Sequence, residues 1–319
     1  MKHLKLAIVA CAFAVLPGCV KLTLAWADLT ARGEEAAPAA LGAFNGTGSI
    51  TNINDWESVR APMLREALQE FVYGHFPDDH SLNVLSRKVL DEAAFDGAGH
   101  LVEYQLQADL TFGGVQRQTD AFYMDVITPV GVEDAPIILI QTFCPRWKTI
   151  PHPAIHRPEG ARGCDGGGIG SAIMTYVFGR YIAMPPIEMI LERGYGVATI
   201  FPSEFAPDRR EAGLAILAEM SAGMAPDQQR WGAIAAWSWG FSLMIDALEQ
   251  DKELRGRKYI TWGHSRYGKS ALLAAAFDDR VDGVISHQSG TGGASLNRGK
   301  KGESVQVITQ SYPHWFAKR

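Results

Sequence analysis

The sequence has 319 residues, a net charge of −5 and a hydrophobic fraction of 47%. This length accommodates one large domain or two small ones, with a sizeable core. The mild negative charge and the lack of any lysine or arginine cluster argue against nucleic-acid or anionic-membrane binding. The composition therefore indicates a globular protein and does not identify its partner.

The N-terminus has the pattern of an export signal. Two lysines precede an apolar run, Leu6 to Leu16, which is too short to span a bilayer. Cleavage before Cys19 would give a lipoprotein, and cleavage after Ala27 would follow the ordinary rule. A retained anchor helix is less compatible with the proline, glycine and lysine that follow. The sequence thus predicts a signal peptide over 1–27 and a periplasmic, secreted or outer-membrane lipoprotein.

A stretch over 28–53 with few large apolar residues is typical of a flexible linker. The folded domain is therefore expected over 54–319. Its first element is a predicted helix with Asp55 as the candidate N-cap. Apolar side chains repeat along one face of this helix, and we expect them to be part of the core: Trp56, Met63, Leu64, Leu68, Phe71 and Val72.

The strand patterns that follow predict an α/β fold. Two alternating segments, Leu101 to Phe112 and Ala121 to Thr128, predict an antiparallel pair at a sheet edge. The apolar run Ile137 to Ile140 is typical of a parallel strand buried on both faces. Its character recurs in three later segments, with helices predicted over Met184 to Arg193 and Trp231 to Glu249. These three segments are Gly194 to Phe201, Tyr259 to Trp262 and Gly283 to His287.

Two features lie between these strands. A Gly- and Pro-rich segment, Thr142 to Gly170, belongs on the ligand side of the sheet, where Phe143 and Cys144 could donate backbone N–H groups to an oxyanion. Cys144 and Cys164 would form a disulfide in an oxidising compartment, although two separate buried thiols are equally compatible. Aromatic residues at helical spacing favour core packing over a sugar platform for Trp231, Trp237 and Trp239.

The stretch around Ser265 carries the clearest chemical pattern. A short strand stops at Gly263, and a helix-forming run begins directly after Lys269. A serine at such a strand–turn–helix junction is lifted out of the sheet, and N–H groups of the next helical turn face the space above it. The pattern therefore predicts that Ser265 is a nucleophile.

The same residues also satisfy the phosphate-binding pattern G-x-x-x-x-G-K-[ST], from Gly263 to Ser270. A P-loop requires a later strand that ends in an acidic residue for Mg²⁺. The next apolar strand ends instead in Gln288, Ser289 and Gly290. We therefore favour a hydrolase turn over a nucleotide site, and we expect neither a cofactor nor a metal ion.

A catalytic serine needs a histidine that accepts its proton and a carboxylate that orients this histidine. After Ser265 the sequence offers only His287 and His314, and Gln288 is the only polar neighbour of His287. We interpret His264 and His314 as structural. The sequence therefore provides no complete triad.

The segment Gly263 to Lys269 resembles the G-x-S-R-x-G-K motif of the glucuronoyl esterases, carbohydrate esterase family 15. The resemblance extends from about Asn54 to the last residue and implies an α/β-hydrolase-like three-layer sandwich. In this fold the central sheet is mainly parallel and the entering strands are antiparallel. Further stretches that are similar to the family are Trp56-Glu57, Tyr73-Gly74, Arg193 to Ala198, Trp231 to Ile234, Ser289 to Leu296, Gly302-Glu303 and Tyr312 to Phe316.

The resemblance implies a serine carboxylesterase that hydrolyses the ester between 4-O-methyl-D-glucuronic acid of glucuronoxylan and lignin alcohols. Ser265 would be the nucleophile, and Arg266 would stabilise the oxyanion. Lys269 and Glu303 would bind the sugar. Gln288 stands where many members carry a catalytic glutamate.

Family members continue for roughly another hundred residues, which carry the catalytic histidine. The sequence is therefore expected to be a C-terminally truncated, monomeric member that lacks its last strands, with little activity of its own. Three alternatives stay open: an acetyl-xylan-type esterase, a non-catalytic carbohydrate-binding remnant and an ATP-binding protein.

Overall fold

The computed structural model describes residues 42, 49–155, 184–225, 228, 230–297 and 303–317. The predicted signal peptide, most of the predicted linker, the end of the Gly- and Pro-rich segment and Cys164 lie outside them.

The chain enters the domain through a helical segment over 53–73. Its cap is Asn52, whose side chain accepts a hydrogen bond from the Asp55 N–H at 2.9 Å, so the expectation for Asp55 was wrong. The expected core face is confirmed only in part: Leu68 and Val72 pack against the main core, whereas Met63 is 45% and Phe71 58% exposed. The segment consists of the turn Ile53–Asp55, a π-helical turn Trp56–Arg60, helix α1 (Ala61–Leu68) and a second π-helical turn Gln69–Tyr73.

Eight strands of the described chain form one sheet, in the order β1-β2-β4-β6-β5-β7-β8 with β3 paired to β2. Strands β5 to β8 pair in parallel, whereas β1 to β4 pair antiparallel and β4 joins β6 antiparallel. This arrangement confirms the predicted α/β class. The strands are β1 (Asp79–Ala94), β2 (Gly99–Phe112), β3 (Val115–Gln118), β4 (Phe122–Pro129), β5 (Ile137–Gln141), β6 (Gly196–Ile200), β7 (Tyr259–His264) and β8 (Val281–His287).

Helices cover both faces of this sheet. Helices α5 (Ala233–Gln250) and α6 (Arg266–Phe277) pack together on one face, and α3 (Ile187–Glu192) packs against β4 and β6 on the other. Within the described residues, no helix combines the length and apolarity that a bilayer crossing requires. The helices after the sheet entry are α2 (Arg146–Thr149), α3 (Ile187–Glu192), a 3₁₀ turn (Pro202–Glu204), α4 (Arg210–Met220), α5 (Ala233–Gln250), α6 (Arg266–Phe277) and α7 (Val305–Ser311).

The main core lies between the sheet and α5. Trp231 and Trp237 are fully buried and Trp239 is 2% exposed, which confirms that these side chains belong to the core. The Trp237 indole N–H donates to the Ala206 carbonyl at 2.8 Å. This bond ties α5 to the segment that follows β6, on the side of the sheet where the parallel strands end.

Strand β7 and helix α6 approach each other more closely than a side chain would permit. A Cβ on Gly263 would lie 2.0 Å from the Tyr267 carbonyl oxygen, so the backbone would have to move. We expect Gly263→Ala to lower the free energy of unfolding by about 3 kcal/mol or more, measured by urea denaturation. Gly283→Ala is the matched control, because its nearest neighbours are side-chain atoms of Ile260 at 3.7 Å. Equal stability of the two variants would contradict this close packing.

Candidate active site

Ser265 lies in the sharp turn between β7 and α6. Its backbone has φ 55° and ψ −118°, a conformation that costs a residue with a side chain on the order of 1–3 kcal/mol. The Ser265 N–H donates to the His287 carbonyl at 2.9 Å, and the Ser265 carbonyl accepts from the Lys269 N–H at 3.1 Å. The end of β8 and the first turn of α6 therefore hold the strained turn in place. Ser265 is partly exposed, so its hydroxyl is accessible to a ligand.

Arg266 begins α6 and lies beside this turn. Its Nη1 forms an ion pair with Asp208, and three aromatic rings surround its guanidinium. The distances from Cζ to the ring centres are 4.8 Å for Trp315, 5.4 Å for Phe143 and 5.8 Å for Tyr312. In the described part of the chain, the Arg266 Nε is buried and has no hydrogen-bond partner. A fixed guanidinium with an unused N–H is suited to stabilise a developing oxyanion.

Asp208 is a residue of this site that the sequence patterns did not reveal. Its Oδ1 accepts hydrogen bonds from His314 Nε2 at 3.0 Å and from Trp315 Nε1 at 2.8 Å. Burial alone would raise the pKa of Asp208, but the hydrogen bond from His314 and the charge of Arg266 outweigh it and lower the pKa. The sequence did offer one signal that Asp208 could belong to the site, which is its position after β6. Ligand-binding side chains collect beyond the carboxyl ends of parallel strands.

Lys269 lies one helical turn after Ser265 and is only 4% exposed. Its Nζ donates to the Ser289 carbonyl and lies 5.7 Å from the centre of the Trp315 ring. Lys269 therefore braces the loop after β8. In a P-loop, backbone N–H groups hold the phosphates and the lysine reaches them. Here Lys269 is buried and Gly263 is packed against backbone, so the turn is unlike a P-loop.

Two histidines lie side by side where β7 and β8 end. The Nδ1 atoms of His264 and His287 are 3.2 Å apart. Burial, followed by the neighbouring His287 and Arg266, lowers the pKa of His264 to about 4, so His264 is neutral at pH 7. Gln288 follows, exposed and with φ 48°. Within the described residues, the Ser265 hydroxyl makes no hydrogen bond to either histidine.

Glu303 lies against the described part of the loop after β8. Tyr73 Oη donates to the Gly292 carbonyl at 2.7 Å, and Thr291 Oγ1 donates to the Glu303 carbonyl at 2.7 Å. The Glu303 carboxylate is exposed, and its Oε2 lies 3.9 Å from the position of a Cβ on Gly290. Glu303 is thus an exposed acceptor at the edge of the loop that Lys269 braces.

Phe143 and Cys144 lie just beyond β5, the strand next to β7. The Cys144 carbonyl accepts hydrogen bonds from Thr142 Oγ1 at 2.8 Å and from Thr149 Oγ1 at 2.9 Å, which fix this turn. Cys144 is disulfide-bonded, while its expected partner, Cys164, lies outside the described residues. The predicted role of the two backbone N–H groups in oxyanion binding stays a prediction.

A buried charged cluster holds the segments after β5 and β6 to the sheet. The guanidinium of Arg146 forms ion pairs with Asp125 and Glu103, which face each other on β4 and β2. It also lies 4.8 Å from the centre of the Tyr123 ring. Glu204 accepts a hydrogen bond from the Tyr123 N–H at 2.8 Å. Burial raises the pKa of Glu204 from its usual 4.5 to about 7.

Glu204 is expected to make stability depend on pH. Because its pKa is higher in the folded chain, the folded state binds the extra proton between pH 4.5 and about 7. The stabilising effect of that proton is complete below pH 4.5 and is lost as the pH rises through 7. Glu204→Gln should therefore be more stable than the unsubstituted protein at pH 8.5, by about 3 kcal/mol at most.

Urea denaturation at pH 4.5 and pH 8.5 measures this effect. Glu253→Gln is the control, because the Glu253 side chain is 69% exposed and its ion pair with Arg87 lies at the surface. Parallel pH profiles for Glu204→Gln and the unsubstituted protein would contradict the assignment.

The order of the strands and the strained serine turn after β7 define an α/β-hydrolase fold. Among solved structures, a glucuronoyl esterase from Solibacter usitatus matches with a TM-score of 0.68 and 27% identity, covering 90% of this chain and 72% of that chain. A promiscuous CE15 esterase from a marine bacterial metagenome matches with a TM-score of 0.68 and 26% identity over the same shares.

Sequence comparisons also match carbohydrate esterases and glucuronoyl esterases. A family model described as "Glucuronyl esterase, fungi" matches residues 224–319. Carbohydrate esterase MZ0003 from an unknown prokaryotic organism is 29% identical over 284 residues, which are 85% of this chain and 62% of that protein. 4-O-methyl-glucuronoyl methylesterase 1 of Phanerochaete chrysosporium is 41% identical over 96 residues, 27% of this chain and 20% of that protein. The chain is thus similar to glucuronoyl esterases of carbohydrate esterase family 15, and it spans 62% of the length of carbohydrate esterase MZ0003.

Proposed function

We propose that this protein is a serine carboxylesterase of glucuronoyl esters. Its substrate would be the ester that joins 4-O-methyl-D-glucuronic acid of glucuronoxylan to a lignin alcohol. The observation that carries the proposal is the strained, accessible turn at Ser265 beside the unused Nε–H of Arg266. The similarity to glucuronoyl esterases supports this substrate class.

In the proposed reaction, the Ser265 Oγ attacks the ester carbonyl and its proton passes to a base. Negative charge develops on the carbonyl oxygen, where the Arg266 Nε–H stabilises it. The alcohol then leaves with a proton, and water hydrolyses the acyl-enzyme to release the uronic acid. Because no base contacts the Ser265 hydroxyl among the described residues, we propose that turnover by the 319-residue chain is slow.

Lys269 and Glu303 are the proposed sugar contacts. Glu303 is exposed and offers carboxylate oxygens as acceptors to hydroxyl groups of the uronate. Lys269 is nearly covered, so a sugar hydroxyl would reach its ammonium only at the edge of the loop after β8. The uronate would therefore lie between this loop and Arg266.

A comparison of two substrates tests the proposal. The purified full chain is incubated with the methyl ester of 4-O-methyl-D-glucuronic acid and, separately, with acetylated xylan, and the released acid is quantified. We expect release of the uronic acid and no acetate. Acetate release alone would identify an acetyl-xylan-type esterase instead. Uronate binding without turnover, unchanged in Ser265→Ala, would indicate a non-catalytic carbohydrate-binding protein.

We also propose that the protein is exported. The proposal rests on the apolar run Leu6 to Leu16, which lies outside the described residues. Intact-mass analysis of the mature protein distinguishes a lipid on Cys19 from cleavage after Ala27. A mature protein that still carries residues 1–27 without modification would contradict export through a cleaved signal.

A further inference from the structure

Asp208 binds three donors that come from two other parts of the chain. Its Oδ2 accepts a hydrogen bond from Arg266 Nη1, and its Oδ1 accepts hydrogen bonds from His314 Nε2 and Trp315 Nε1. Arg266 is 58 residues away in sequence, and His314 is 106 residues away. The Asp208 side chain is only 14% exposed. One carboxylate therefore joins the segment after β6, the start of α6 and the turn that follows α7.

The arrangement restrains Arg266 in two different ways. The rings of Phe143, Tyr312 and Trp315 enclose the guanidinium, but contacts with ring faces do not set the direction of its N–H groups. The bond from Nη1 to Asp208 does set it, because the guanidinium is a rigid, planar fork. With Nη1 held, the buried Nε–H is directed away from the carboxylate and keeps its hydrogen bond available.

We propose that Asp208 is a positioning residue for the oxyanion donor: it holds the Arg266 guanidinium so that Nε–H faces the carbonyl oxygen of an ester attacked by Ser265. His314 and Trp315 hold Asp208 in turn, and Trp315 also lies against the guanidinium that Asp208 binds. This inference rests on the proposed esterase function. Asp208 itself touches neither the substrate nor the serine hydroxyl.

The ionised state of Asp208 supports this role. The hydrogen bond from His314 and the charge of Arg266 lower its pKa in spite of burial, so the carboxylate is charged at neutral pH. Asp208→Asn keeps the size of the side chain and removes the charge. Asp208→Glu keeps the charge and moves it by one methylene, so the two variants separate charge from placement.

The test uses the full chain with Asp208→Asn, Asp208→Glu, Arg266→Ala and the double variant Asp208→Asn/Arg266→Ala. Asp246→Asn is the matched control. Asp246 lies on α5 and, like Asp208, pairs with an arginine and a histidine, which are Arg280 and His80. Two quantities are measured: kcat and KM for the glucuronate methyl ester, and the rate at which phenylglyoxal modifies Arg266, followed by peptide mapping.

We expect Asp208→Asn to lower kcat by about 10²-fold, the order of loss for a displaced catalytic group, with little change in KM. Asp208→Glu should lie in between, and Asp246→Asn should match the unsubstituted protein. In the Arg266→Ala background, Asp208→Asn should cause no further loss, because the two residues act as one unit. Phenylglyoxal should modify Arg266 faster in Asp208→Asn than in the unsubstituted protein or Asp246→Asn.

Two results would overturn the proposal. The first is additive losses in the double variant, which indicate that Asp208 acts independently of Arg266. The second is an unchanged rate of Arg266 modification in Asp208→Asn. The modification rate needs no turnover, so it decides the coupling of Asp208 to Arg266 even when the chain hydrolyses no glucuronate ester. Absence of hydrolysis would contradict the proposed function separately.

Discussion

Replacing Ser265 with alanine is expected to abolish ester hydrolysis by the chain, so that the rate falls to that measured without protein. In the proposed reaction the Ser265 Oγ is the atom that forms the acyl-enzyme, and alanine has no atom that could replace it. The strained backbone at φ 55° is retained by alanine, which has a Cβ like serine. Initial rates on the glucuronate methyl ester, at matched protein concentration and confirmed folding, measure the effect.

Ser58→Ala is the control for this variant. Ser58 lies in the peripheral helical segment, and its hydroxyl donates only to the Asn54 carbonyl at 2.6 Å. Its activity should equal that of the unsubstituted protein. Activity retained in Ser265→Ala would remove Ser265 from the reaction, and hydrolysis would then proceed at another residue.

Replacing Arg266 with alanine is expected to lower kcat by about 10²–10³-fold with a smaller change in KM, since the guanidinium acts on charge that develops in the transition state. Arg266→Lys should recover little of this loss. An ammonium lacks the planar fork that can bind Asp208 through Nη1 and still present a separate N–H. Kinetics with the methyl ester measure both variants.

Arg65→Ala is the control for Arg266, because Arg65 pairs with Asp279 at the protein surface, where the two side chains are 39% and 86% exposed. It should leave kcat unchanged. If Arg266→Ala raised KM and left kcat intact, the guanidinium would bind the substrate equally in the ground state and the transition state, and its role as an oxyanion donor would be wrong.

The parallel half of the sheet was predictable because it rests on local patterns. The run Ile137 to Ile140 is buried on both faces, and an uninterrupted apolar stretch records this environment directly. The sequence pattern did not predict strand β1, because most of its side chains are exposed and its apolar residues do not alternate with polar ones. It, rather than β2, is the outer strand at the antiparallel end of the sheet.

The helical segment over 53–73 was predicted as a helix, but part of its expected core face is exposed. Its apolar side chains repeat at helical spacing, yet Met63 and Phe71 face solvent and only Tyr73 is buried within the segment's last turn. Hydrophobic periodicity indicates which side chains share a face. Whether that face meets the core depends on the position of the segment relative to the sheet, which the local pattern does not contain.

In the site, too, the local turn was predictable from the sequence, and the contacts between distant segments were not. The sharp turn at Ser265 follows from a strand, a glycine and a helix within one short stretch, and the structure has a strained turn there. The partner of Arg266 could not be predicted in this way, because Asp208 reaches it from another loop. The burial of Lys269 also depends on tertiary packing, by Ser289 and Trp315, whereas its sequence position indicated only the helix face it shares with Ser265.

The most direct test of the nucleophile uses an alkyl fluorophosphonate, which forms a covalent adduct with a nucleophilic serine and does so slowly where no base contacts the hydroxyl. The full chain is treated with the reagent, digested and analysed by mass spectrometry, together with Ser265→Ala. We predict one adduct, on the peptide that contains Ser265, and none in the alanine variant. An adduct on another residue, an adduct that persists in Ser265→Ala, or an unmodified protein would contradict the assignment of Ser265 as the nucleophile.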